Sequence, residues 1–155
     1  MIDSKFIGYE TPPVSIEVEK GQLAFFAKAT GETNPIYFDE DAAKAAGHPS
    51  LPAPPTLGFI LNSLSREKGG DAGNVGKVLG INIGHVLHGE QGFEYFKPIY
   101  AGDTITLTTK VTDIYDKKNG AMDFIVMTID AVNQHGELCV RQRNNLVVRN
   151  PGAGK

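Results

Sequence analysis

From residue 84 to residue 149 the sequence reads almost entirely as strands. "GHVLHGEQGFEYFK" alternates Val86, His88 and Glu90 with Leu87, Gly89 and Gln91, then continues through Phe93 and Tyr95. "TITLTTKVTDIYD" is rich in Thr, Ile and Val and sets Ile105, Leu107, Thr109 and Val111 on one face. "AMDFIVMTIDAV" and "LCVRQRNNLVVR" complete the set. The breaks between these runs are turn signals: Pro98 with "AGD", then "KKNG", whose Asn119-Gly120 supplies positive φ, then "NQHGE". Gly89 and Gly92 interrupt the first run and predict bulges or close backbone approach. Long consecutive strands joined by tight turns make an antiparallel meander, and such a sheet needs a covering layer on one face.

The sequence supplies that layer as a helix. Pro52, Pro54 and Pro55 forbid regular structure just before residue 56, and Thr56 is placed as an N-cap. Leu57, Phe59, Ile60, Leu61 and Leu64 then make an almost wholly apolar helix that turns polar only from Ser65 to Lys68. A helix apolar on all sides is expected to be covered on several. Upstream, "VSIEVEK" alternates as a short strand, and "KGQLAFFAKATGE" carries Leu23, Phe26, Ala27 and Thr30 at helical spacing, with Gly31 as its stop. "DEDAAKAAGH" reads as a shorter helix with acidic residues in its first turn, and "GGDAGNVG" as a loop. The expectation is an α+β fold, an antiparallel sheet wrapped around a central helix. It forms one domain over residues 1–155 with its core at about 5–149 and a frayed tail, "NPGAGK". A second subunit is expected to pair with the sheet's other face or an edge.

Composition excludes several function classes. A net charge of −3 gives no global electrostatic case for nucleic acid. No stretch approaches the roughly 20 apolar residues of a membrane span, and "MIDSKFIGYETPP" lacks the basic-then-apolar order of a signal peptide, so a cytoplasmic protein is expected. The one cysteine, Cys139, sits between apolar residues and reads as a small core residue. None of the four histidines (His48, His85, His88, His135) joins Cys or carboxylates at metal-ligand spacing, so no metal is expected, nor an organic cofactor. G-x-S-x-G and G-x-G-x-x-G are both absent. Arg141, Arg143 and Arg149 alternate on one strand face, either as a solvated face or as a phosphate contact.

The stretch before the central helix carries a resemblance. "ATGETNPIYFDEDAAKAAG" is similar to the signature of MaoC-like hot-dog proteins, the R-specific enoyl-CoA hydratases and 3-hydroxyacyl dehydratases. That signature runs Ser-Gly-Asp-x-Asn-Pro-(aliphatic)-His, followed by a spaced Ala. The matching run here is Thr30-Gly31-Glu32-Thr33-Asn34-Pro35-Ile36-Tyr37, with Ala42 or Ala43 near the spaced position. "LHGEQGFEYFKPIYAGDTITLTTKVTD" and "NQHGEL" resemble the N-terminal MaoC dehydratase branch, also described as FAS1-like, and the likeness spans roughly residues 5–149.

The resemblance implies a hot-dog fold whose irregular segment is an active-site overhang. The substrate would be an acyl thioester of CoA or acyl carrier protein, held between the overhang and the N-terminus of the central helix. There, at Pro55, Thr56 and Leu57, unpaired amides can polarise the thioester carbonyl. Proline has no N–H, so Thr56 or Leu57 must donate. In active members the Asp and His of the signature work as an acid–base pair on the substrate and a water. Here Glu32 replaces the Asp and Tyr37 replaces the His, while Asn34 is kept. A phenol with a pKa near ~10 is a poor base at neutral pH.

Three readings stand open. The chain is the substrate-binding, non-catalytic half of a heterodimeric hydratase or dehydratase. Alternatively it is a homodimer active with a rearranged set, Glu32 with His88 or with Tyr37 as the acid. Or it is a non-enzymatic acyl-CoA-binding module. Each residue also has a plainer reading. Glu32-x-Asn34-Pro35 can be a helix-exit turn, Tyr37 and His88 can be packing residues, and Leu57, Phe59 and Ile60 can be core rather than the wall of an acyl tunnel.

Overall fold

The computed structural model describes residues 2–151. Five strands form one antiparallel sheet: β1 (Val14–Glu17), β2 (Val86–Tyr95), β3 (Thr104–Lys117), β4 (Met122–Val132) and β5 (Leu138–Arg149), in the order β1-β3-β4-β5-β2. The helices are α1 (Lys20–Ala29), α2 (Glu40–Ala45), the central α3 (Leu57–Lys68) and the short α4 (Val75–Val78). Helix α3 lies on the sheet, with Leu57 and Leu61 in one cluster with Leu23, Ile105, Leu107 and Ile129. The α+β arrangement expected from the strand and helix patterns is the one observed.

The meander follows its alternation. Ile105, Leu107, Thr109 and Val111 of β3 are all buried, the last three opposite Ala131, Ile129 and Met127 of β4. The β3–β4 turn takes positive φ over three residues, Lys118, Asn119 and Gly120, one residue earlier than the Asn-Gly pair implies. In β2 the pairing with β5 shifts register between His88 and Glu90. A Cβ on Gly89 would stand 2.8 Å from the Asn145 carbonyl oxygen and 2.8 Å from Val147 Cγ2, so only glycine fits there. Gly92 is different. It pairs in register with Arg143, and its nearest neighbour would be 3.8 Å from an added Cβ, an ordinary contact.

Two expectations are corrected. Helix α3 is covered on one face only: Leu57, Gly58, Leu61, Asn62 and Ser65 are buried, whereas Phe59 is 38% exposed. The apolar composition therefore overstates the cover, because Phe59 stays partly exposed, with its ring beside that of His88 on β2. The segment after α3 is not all loop. Asn74 caps α4 by accepting from Lys77 N (3.3 Å), and Val75 anchors the turn in the core.

The arginine stripe on β5 is a solvated face: Arg141 pairs with Asp130 through two contacts of 2.7 Å at the surface. Cys139 is buried, and that burial pushes its thiol up. Both ends of the described chain are tied to β4, where Asp123 accepts from Ile2 N (2.9 Å) and Asn150 Nδ2 (3.0 Å). No helix is long and apolar enough to cross a membrane.

Candidate active site at the N-terminus of the central helix

The proline cluster is a built approach to α3. Leu51 to Ala53 run beside residues 99 to 101, with Ala53 N donating to Ile99 O (2.8 Å) and Ala101 N to Leu51 O (2.9 Å). This delivers Pro54 and Pro55 to the start of the helix. Thr56 occupies the N-cap position, but its side chain makes no capping bond. Tyr95, at the end of β2, donates its hydroxyl to the Pro55 carbonyl (3.0 Å). Between these elements lies a cavity of about 180 Å³, bounded by Ala53, Pro55, Gly58, Tyr95, Lys97 and Val140.

The helix terminus aims its free donors at this end. Leu57 N already donates to Pro54 O (3.0 Å) and Phe59 N to Thr56 O (3.1 Å). Leu57 is therefore not an available donor. Among the described residues the amides of Thr56 and Gly58 have no acceptor, and Gly58 also lines the cavity. Gly58 is closely packed against β5. Gln142 on β5 is fully buried and donates its amide to the Gly58 carbonyl (2.9 Å), and a Cβ at residue 58 would stand 3.1 Å from that nitrogen.

The overhang is ordered by its own turn chemistry. Thr30 ends α1 by donating its amide to Phe26 O (3.0 Å), Gly31 takes φ +78, and Glu32 N donates to Ala27 O (2.9 Å). Asn34 caps the short 3-10 turn Pro35–Tyr37 by accepting from Ile36 N (3.2 Å). Its side chain is thus engaged in the turn. Glu32 and Tyr37 are both half-buried. Burial, and after it the negative charge of Glu32, pushes the Tyr37 phenol above its ordinary value. The two side chains sense each other, yet no hydrogen bond joins them. Tyr37 stays protonated at neutral pH and is suited to donate a proton rather than to take one.

His88 stands apart from that pair. It is exposed on β2 beside the Gly89 bulge, its ring 5.7 Å from Phe59 and inclined at 53°. Among the described residues it makes no hydrogen bond to Glu32 or Tyr37. Among the described residues no three His, Cys, Asp or Glu side chains converge as a metal site. Gly58, Tyr95 and Lys97 were not foreseen from the sequence. Tyr95 and Pro55 are 40 residues apart, and nothing local in either stretch announces their contact.

Comparison with known proteins adds the family. The model of the FAS1-like dehydratase domain region matches residues 5–142. A UPF0336 protein of Streptomyces griseus is 34% identical over 151 residues, covering 96% of this chain and 95% of its own. Among solved structures, the HadBC (3R-hydroxyacyl-ACP dehydratase) complex of Mycobacterium tuberculosis superposes with a TM-score of 0.76 at 24% identity, over 92% of this chain and 96% of that one. The (R)-hydratase of A. caviae involved in PHA biosynthesis superposes with a TM-score of 0.69 at 20% identity, over 90% of this chain and 94% of that one. These structures share the hot-dog fold.

Proposed function

The chain belongs to the FAS1-like dehydratase family of MaoC-like hot-dog proteins, and on that premise we propose that it is the substrate-binding subunit of a hydratase or dehydratase acting on acyl thioesters of CoA or acyl carrier protein. The observation that carries this reading is the helix N-terminus. A cavity, two free amides and a positive dipole end meet there, with no assembled base beside them. In hydration a hydroxyl joins C3 of a 2-enoyl thioester, a proton joins C2, and the C2=C3 π bond is consumed. Charge passes transiently to the thioester oxygen. The Thr56 and Gly58 amides would hold that oxygen, and the acid–base pair would come from a partner hot-dog subunit. The HadBC complex, built from two different subunits, supports such an assembly by analogy of fold.

A second reading has its own support. Glu32 is the one carboxylate placed to sense Tyr37, and a phenol held protonated beside it could act as the acid of a rearranged pair. In that case the chain would be a homodimeric enzyme.

Binding of crotonyl-CoA, measured by calorimetry, tests the site. Ala53→Leu, which fills the cavity from its rim, should weaken binding at least about tenfold while thermal unfolding stays unchanged. Equal affinity in wild type and Ala53→Leu would move the thioester elsewhere.

A further inference from the structure

A second cavity, of about 320 Å³, lies farther along α3, between that helix, α4 and the inner face of the sheet. Its volume equals about ten liquid-water volumes, within the range of ligand pockets. Much of the wall is apolar, including Val75, Ile81, Met127 and Leu146. Set into it are Asn62 and Arg66, one turn apart on α3, and Asn144 on β5.

Each of these three polar residues has a buried side-chain atom without a partner. Asn62 and Asn144 are each 5% exposed. Asn62 Oδ1, Asn144 Oδ1 and Arg66 Nε are all buried with no hydrogen-bond partner, three of the six such side-chain atoms among the described residues. Leaving a buried polar group unmet costs stability, and three in one cavity is a cost that packing does not explain. The carboxamides can turn either their oxygen or their nitrogen inward.

The electrostatics have one sign. The lining contains Arg66 and Lys77 and no Asp or Glu. Lys77 is neutralised by Asp71 at 2.7 Å. Among the described residues Arg66 makes no ion pair, and its side chain donates one long hydrogen bond, 3.4 Å, from Nη2 to Ser63 Oγ. Burial lowers its affinity for the proton, the mark of a guanidinium taken partly out of water without compensation.

We propose that this cavity binds an apolar chain that ends in a carboxylate, with the carboxylate on Arg66 flanked by the carboxamides of Asn62 and Asn144 and the chain against Met127 and Leu146. A planar guanidinium and two carboxamides lining one cavity match a carboxylate, which accepts several hydrogen bonds at once. The carboxylate has two sources. One is a free aliphatic acid. The other is the far end of a thioester substrate that carries a second carboxyl group. Arg66 lies about two and a half turns past Leu57, roughly 13 Å along the helix axis. Gln142 stands on β5 between Val140, which lines the first cavity, and Asn144, which lines the second. Its bond to Gly58 ties β5 to α3 between the two. The carboxylate site itself does not depend on the thioester reading. Only the second source does.

Calorimetric binding of decanoate and decanol to the intact protein tests the site. Decanoate should bind at least about tenfold tighter than decanol, as a charge-assisted pair implies. Arg66→Met, which keeps the chain volume, should abolish that preference, and Arg66→Lys should keep part of it, with thermal unfolding confirming that both variants are folded. The 2-enoyl-CoA of a dicarboxylic acid, compared with its methyl-ended counterpart of equal length, then separates the sources. Preference for the carboxyl-ended thioester, lost in Arg66→Met, assigns the cavity to the substrate's far end. Preference confined to decanoate assigns it to a free acid. Equal binding of decanoate and decanol, binding of neither to the folded wild type, or an undiminished preference in Arg66→Met would overturn the proposal.

Discussion

Tyr37 is where the family signature and this chain part most sharply. A phenol in the place of an imidazole, near a carboxylate, is held in its protonated form by burial first and by the Glu32 charge second. Removing that charge should therefore bring the Tyr37 titration down, and residual burial should keep it above the ordinary value. The measurement is the ultraviolet difference titration of Glu32→Gln against wild type, with Tyr37→Phe identifying the signal. A Tyr37 titration unmoved by Glu32→Gln would mean that the two groups do not face each other. At this scale the sequence was partly legible. Glu32, Asn34 and Tyr37 could be located by motif, as could the lack of a standard pair. The use of Asn34 as a turn cap depends on one side-chain orientation, for which Asn before Pro supplies only a general tendency. That Leu57 is excluded as a donor, leaving Thr56 and Gly58, follows from a bond to Pro54 that no pattern records.

Among the elements, β2 makes the most specific demand on its sequence. Two glycines sit three residues apart, and as sequence signals both read as bulges or close backbone approach. Their surroundings do not. Gly89→Ala should cost about 1–3 kcal/mol, because the new methyl meets backbone at 2.8 Å. Gly92→Ala should be neutral or stabilising within about 0.5–1 kcal/mol, since strand glycines give up backbone entropy and nothing opposes the added methyl. Urea unfolding of the two variants compares them directly, and equal losses would contradict the assigned register. The long strands and the helices α1, α2 and α3 were legible because each carries a strong period and clear stop signals. Helix α4 was not, since four residues within a glycine-rich stretch leave no period to detect. The one-sided cover of α3 was hidden for a different reason. Composition shows that a helix is apolar but not which of its residues meet the sheet.

For the whole molecule, the open question of shape is what covers the free edge of the sheet. Strand β2 is an edge with no partner strand on its outer side among the described residues. Leu87 and Phe96 in and just after it are 47% exposed, and Phe59 beside His88 is 38% exposed. An open edge flanked by apolar side chains favours association. In the absence of a different partner, sedimentation should show a species of twice the 16.7 kDa chain mass, and Leu87→Lys should shift it towards the single chain. A wild-type chain that stays single at micromolar concentration would place the contact elsewhere. The function proposed above has this hot-dog fold bind a thioester carbonyl at the α3 terminus while a partner supplies the acid–base pair. The most direct test is hydration of crotonyl-CoA by the purified chain, followed as loss of enoyl absorbance, with binding of the same thioester measured alongside. The account predicts binding without turnover. Sustained turnover by the chain alone, abolished in Glu32→Gln, would contradict it.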